Sequence, residues 1–376
     1  MRSLKITLLL TFFLLLAPPI AGAVGRPIRT VDVDRQSLNV AAAESATVTI
    51  DFGQAGRASV VIVDRDGYRV RTLANAQPAS GSITLHWDGR DDSGRMVADE
   101  SYSLKIDWRG PAGTDAYFPA NEPASMSAIE ARSYDRRTAT LAYSLPRASR
   151  VHIQVGTAAV DPKTKKLVGP VMKTLVNREP RVSGRIAEHW NGYDESNSIF
   201  IPDLENFVVA IAVTPLPENS IITFGNRQRR FVDTLGTRRG ASLFTNRHEH
   251  REHHFGLPTP DDVSPALVIE PLNAAWSAAD RTWIKSGTGA LRLRLRVEGP
   301  TAAAFERHPA TIERFVDGTA VGNASRKMSD VVEVPLDASG NIRRVSINWN
   351  SDWGPVAANT IQVRVGRPVR DSGVGK

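Results

Sequence analysis

Between residues 34 and 108 apolar and polar positions alternate in short runs. ATVTIDF (Ala46 to Phe52), ASVVIVDRDGYRVRTL (Ala58 to Leu73), GSITLHW (Gly81 to Trp87) and SYSLKIDW (Ser101 to Trp108) carry the two-residue period of strands buried on one face. Asp66-Gly67 lies between β-branched runs, which predicts a tight two-residue hairpin with φ > 0 at both turn positions. Strands at this spacing, separated by turn signals, predict a β-sandwich. From Gly110 to Ser127 the composition shifts to Gly, Pro, Ala and Asn, the chemistry of a linker. Strands resume at ATLAYSLPRASRVHIQV (Ala139 to Val155). A third region, from about Pro265, offers ALVIEPL, GALRLRLRVEG, VVEVPL, NIRRVSINW and NTIQVRV, of which LRLRLRV alternates strictly.

The second stretch repeats the first. RTL (Arg71 to Leu73) answers to KTL (Lys173 to Leu175), and LHWDGRDDSG, from Leu85, answers to EHWNGYDESN, from Glu188. Thr47 to His86 is 39 positions and Thr140 to His189 is 49, so the second copy carries about ten extra residues. They fit best between Gly156 and Pro170, where the first copy has its tight turn, because hairpin loops absorb insertions cheaply. INWNSDWGP (Ile347 to Pro355) echoes the Trp turn only loosely.

The order of strands, then a Leu73-type position, then W-D-G-x-D-x-x-G, then S-Y-x-L resembles the Ig-like domain of the flagellar hook-cap (hook assembly scaffold) proteins. The first copy carries it at Leu73, Trp87, Asp88, Gly89, Asp91, Gly94 and Tyr102; the second keeps Leu175, Trp190, Gly192 and Asp194, with Asn191 for Asp and Asn197 for Gly. The resemblance implies Ig-like modules and says little about function. Trp87 is expected to close one end of a sandwich core, Asp88, Asp91 and the glycines to build turns, and His86 and His189 to point outward. A calcium loop is the alternative for the carboxylates, although the Asp-x-Asp-x-Asp-Gly alternation is missing.

The expected fold is all-β: three tandem Ig-like or fibronectin-like β-sandwiches. Residues 24–110 form the first, 111–135 a linker, 136–224 the second, 225–260 a basic, His-rich connector, 261–370 the third and 371–376 a tail. Residues 1–23 read as a signal peptide: Arg2 and Lys5 precede the apolar run Leu8 to Leu16, Pro18-Pro19 follows it, and Ala21-Gly22-Ala23 suits cleavage. The run is shorter than the ~20 residues a membrane-spanning helix needs, and no later segment is apolar enough. Export to the periplasm or the exterior follows as the expectation. The chain has no cysteine, which excludes disulfides, thiolate metal sites and a Cys nucleophile.

Charge sharpens the picture at one place. The formal net charge is +7, and seven arginines between Arg227 and Arg251 face only Asp233, Glu249 and, just beyond, Glu252. Arg227, Arg229, Arg230, Arg238 and Arg239 are therefore candidates for binding an acidic protein or an anionic envelope polymer, with a solvated connector as the alternative. Aromatic residues are not interleaved as a base-stacking surface requires, so nucleic acid is not expected. His248, His250, His253 and His254, interleaved with Glu249 and Glu252, are candidate ligands for a divalent transition metal, against a polar loop that binds metal only weakly. No G-x-S-x-G, H-E-x-x-H or P-loop is present. The expected function is thus a non-enzymatic modular protein, its Ig-like units spacing or docking partners in a scaffold or adhesion role. The alternatives are a metal-binding protein centred on the histidines, and a polysaccharide-binding or polysaccharide-active protein with carboxylates around Glu306, His308, Glu313 and Asp317.

Overall fold

A computed structural model describes residues 25–122, 124–130, 132–160, 167–245, 265–287, 289–299, 302–307, 309–326, 331–337, 340–351 and 356–366. The architecture is all-β, built on three separate hydrophobic cores, with one short α-helix among the described residues, Ala302–Arg307, and a few short 3-10 segments.

The first core gathers the inward positions of the predicted strands, but those strands are longer than their alternation suggests. ATVTIDF and ASVVIV fuse into one strand, Ala46–Val63, and its hairpin partner runs through Arg69–Trp87. Register breaks between Phe52 and Gly56 bend the ribbon, so its first half pairs with Ile28–Val33 and its second half with Ser101–Gly110. Gly56 is required at the bend, because a Cβ there would lie 2.5 Å from the ring of the buried Trp108. The turn between the two long strands also differs from the two-residue form. Asp64 Oδ1 accepts the amides of Asp66 and Tyr68, both at 2.9 Å, and of Asp66 and Gly67 only Gly67 has positive φ.

The second core has the same hairpin, broken at its bend. Thr140–Leu145 and Ser149–Thr157 stand for the first long strand, and Val171–Arg181 and Gly184–His189 for the second. One sheet is ordered Val171–Arg181, Ser149–Thr157, Phe207–Pro215, Ser127–Ala128; the other Gly184–His189, Thr140–Leu145, Arg132–Asp135. The insertion falls between Thr157 and Val171, and includes the small pair Ala159–Val160 with Leu167–Val168.

Two expected boundaries are corrected. Gly113–Tyr117 is paired to Ser101–Gly110 and so belongs to the first unit, and Ser127–Ala128 and Arg132–Asp135 are paired within the second, so little of 111–135 is a linker. Ile221–Phe224, placed by sequence in the second unit, returns to the first: it pairs antiparallel with Ser101 and Tyr102, and parallel with Ser37–Asn39. The second unit is an insertion within the first.

In the third region Leu291, Leu293, Leu295 and Val297 are buried and the intervening arginines exposed, as the alternation requires. Ala266–Pro271, Leu291–Glu298 and Val331–Val334 make one sheet; the other runs from Ala275–Ser277 through Thr282–Lys285, Val356–Val365, Ile342–Ser351 and Ala310–Val316 to Thr319–Ala320. Trp349 sits inside Ile342–Ser351 instead of at a strand end, so it does not reproduce the Trp turn of the other units.

Candidate functional site

The repeated phrase forms two closely similar loops, the second one residue longer: it closes Gly192 to Ile201 where the first closes Gly89 to Val97. Trp87 and Trp190 are buried, and the indole Nε1 of each donates to the carbonyl three residues on: Arg90 at 3.0 Å and Tyr193 at 2.9 Å. Asp91 Oδ1 accepts the amides of Ser93 and Arg95; Asp194 Oδ1 accepts those of Ser198 and Ile199. The substitutions in the second copy preserve the geometry. Asn191 Oδ1 accepts the Tyr193 amide as Asp88 Oδ1 accepts that of Arg90, and Asn197 takes φ 54 where Gly94 takes φ 80. Gly89 and Gly192 both have positive φ, and both meet a close neighbour: a Cβ would lie 2.4 Å from Val40 in one and 2.2 Å from Phe200 in the other. Tyr102 packs edge-on against Trp87 at 5.3 Å. His86 and His189 are exposed, outside this arrangement. Among the described residues no group of three or more His, Asp or Glu is placed to hold a metal ion.

What distinguishes the first loop is the segment laid against it. After the return strand, residues 225–245 wrap the acidic end of the first unit as a strap. The Asp99 carboxylate accepts the amides of Gly225 and Asn226; Arg229 pairs with Asp91 at 3.2 Å; Arg238 pairs with Asp64 at 3.1 Å and with Asp66. Phe231 is buried with the guanidinium of Arg65 over its ring at 4.0 Å and that of Arg238 at 4.9 Å, and Phe244 stacks on Phe118. The five candidate arginines of the basic stretch therefore differ in their contacts. Arg229 and Arg238 are committed to carboxylates more than a hundred positions earlier, and Arg230 to Asp233, while Arg227 and Arg239 stay exposed. His248, His250, His253 and His254 lie outside the described residues.

Under the strap, Glu100 is the centre of a buried ion triad. Its carboxylate meets Arg65 of the first unit at 3.0 Å and Arg150 of the second at 2.7 Å, all three side chains being at most 6% exposed. Burial opposes its ionisation, but Arg150, Arg65 and the Ser101 amide overcome that and hold its pKa below the ordinary value. Arg150 also donates to Ser101 Oγ and to the Arg178 carbonyl, so one side chain stitches the two units together. Asp64 behaves oppositely. Burial pushes it up to about 7 despite Arg238, with Asp66 adding to the rise.

Between the Asp91 loop and the strap lies a cleft of about 600 Å³, walled by Asp64, Tyr68, Asp91, Arg229, Phe231 and Arg238. In the third region Glu313 accepts from Asn350 and Asp317 is held by Arg343, so both serve local structure; Glu306 is exposed and His308 lies outside the described residues.

Residues 35–109 match the family model of the FlgD Ig-like domain. That match is one copy, and it covers the first loop but stops short of the return strand and strap. No curated protein matches the chain. Solved structures align along most of its length. The chicken CNTN1 FN1-FN3 domains share 7% identity over 91% of this chain and 99% of that one, with a TM-score of 0.17. A 1.5-MDa bacterial ice-binding adhesin shares 10% identity over 91% and 99%, TM-score 0.18; a tetra-tandem repeat from the extending region of a large adhesion protein shares 12% over 89% and 73%, TM-score 0.17. At those scores they carry no argument beyond the fold already described.

Proposed function

We propose that the chain is an exported, non-enzymatic modular protein whose Ig-like units form a stiff spacer and docking scaffold in the cell envelope or outside the cell. The second unit is proposed as a further copy of the domain matched at residues 35–109, since its loop repeats the indole bond to the carbonyl three residues on and the Asp/Asn side-chain turn before it. The observation that carries the scaffold reading is the double attachment of the first two units. The chain passes from one to the other and back, and the Glu100 triad is buried across the seam. A scaffold transmits position only if its joints are fixed, and interfaces within a chain otherwise permit relative motion by default. The amino-terminal leader supports export, and the strand edges and end loops supply docking surfaces.

The absence of cysteine makes the test direct. Cysteines introduced at the exposed Thr84 and Ser144 carry spin labels, one on each unit, and the distance distribution is read by pulsed electron resonance. A single narrow distribution is expected. A broad or multimodal one removes the basis for a stiff spacer.

A further inference from the structure

We propose that the cleft between the Asp91 loop and the strap binds a small oxyanion, a carboxylate or a phosphate. Its position is where ligand sites arise, at a seam between elements brought together from distant parts of the chain. Five arginines line it, Arg69, Arg95, Arg229, Arg238 and Arg239, against three aspartates, Asp64, Asp91 and Asp92. Asp66 takes part of Arg238 from outside the cleft, which still leaves at least one positive charge in excess.

Donor supply argues more strongly than net charge. The carboxylates do not use up the guanidiniums. Arg229 spends Nη1 on Asp91 and the Met96 carbonyl, and its Nε and Nη2 make no hydrogen bond among the described residues. Arg239 is exposed and has no ion-pair partner among the described residues. Arg69 and Arg95 reach Asp92 and Asp91 at 3.7 and 3.3 Å, with side chains still 55% and 58% exposed, so each keeps donors facing solvent. The carboxylates, for their part, are occupied. Asp91 already accepts from Ser93, Arg95 and Arg229, and Asp64 accepts from two amides and is ion-paired with Arg238. An arriving anion therefore meets forked donors at the rim and a wall whose own negative charge is paired. Arg229 and Arg238 are held in place by those inner pairs and the Phe231 stack, so little side-chain freedom is lost on binding at the wall.

The test uses the full chain and two probes, inorganic phosphate and trigalacturonate, titrated by calorimetry at low salt. Saturable binding at about 1 mM or tighter is expected for at least one probe. It should weaken with added salt, because the rim is open to solvent. An Arg95→Ala/Arg239→Ala double variant, altered only at exposed side chains, should bind at least about tenfold more weakly with an unchanged melting temperature, as expected from losing two charge-assisted contacts. Preference between the probes assigns the anion to the phosphate or the carboxylate class. No saturation with either probe, or equal binding by the variant, overturns the proposal.

Discussion

Replacing Glu100 by Gln tests the joint between the first two units. The substitution keeps the shape and removes the carboxylate that Arg150 and Arg65 meet at 2.7 and 3.0 Å. Removing one partner of a buried pair typically costs 3–5 kcal/mol, because the remaining charge is left uncompensated. Here one carboxylate serves two buried guanidiniums, so about 4 kcal/mol is the expectation, with Arg150→Met costing less because Arg65 still satisfies Glu100. The sensitive reporter is the return strand, since the Thr223 amide donates to the Glu100 carbonyl and the Ile222 amide to Gln36. Native-state hydrogen exchange at those two amides should accelerate by about a thousandfold in Glu100→Gln. Converting all three charged residues to apolar ones of similar volume (Arg65→Met, Glu100→Leu, Arg150→Met) should recover much of the loss, apart from the contact of Arg65 with Phe231. An effect below about 1 kcal/mol in Glu100→Gln would refute the view that the triad fixes the joint.

Other expectations follow from the same contacts. Asp64, raised to about 7 in the folded chain from 3.8, binds a proton there that the unfolded chain releases, so stability should fall as pH rises from about 4 to 7. Urea midpoints across that range should flatten in Asp64→Asn. Glu100, with its pKa lowered, acts in the opposite sense: its contribution is present above pH 4.5 and is lost as pH falls below that value through the folded pKa. Gly192→Ala should destabilise by about 1–3 kcal/mol, since it combines a positive φ with contact against Phe200, whereas Asn197→Gly should change thermal stability by less than about 0.5 kcal/mol. Mass spectrometry of the exported protein should find its amino terminus at Val24; an intact leader would contradict the cleavage reading.

The motif loop was legible because its chemistry is local. An Asp or Asn that caps amides a few positions on, with a residue that tolerates φ > 0 beside it, writes its geometry into adjacent letters. The alternation of LRLRLRV was legible for the same reason. Ile221–Phe224 was not, because four residues cannot say which of two sheets they will join, and both sheets offer apolar inward faces. The strap failed differently. A run of arginines shows its own charge but not the position of Asp64, Asp66, Asp91 and Asp99, which only the fold brings beneath it. The bend at Gly56 was also hidden, since alternation is interrupted identically by a turn and by a bulge within a continuous strand.

Because the sheet of the first unit is finished by residues 221–224, the order of synthesis and the order of completion do not agree. When the chain has been made as far as Gly110, the first core still lacks an interior strand, and more than a hundred further residues must emerge before it arrives. At roughly 5–20 residues per second that is a wait of about 5–20 seconds, long compared with the folding of most small domains. The second unit, whose strands are contiguous from Ser127 to Pro215, is complete before the first can close. The amino-terminal unit is therefore the later of the two to reach its native state, and a nascent or translocating chain spends that interval with the edges of Ser101–Gly110 and Ser37–Asn39 unpaired.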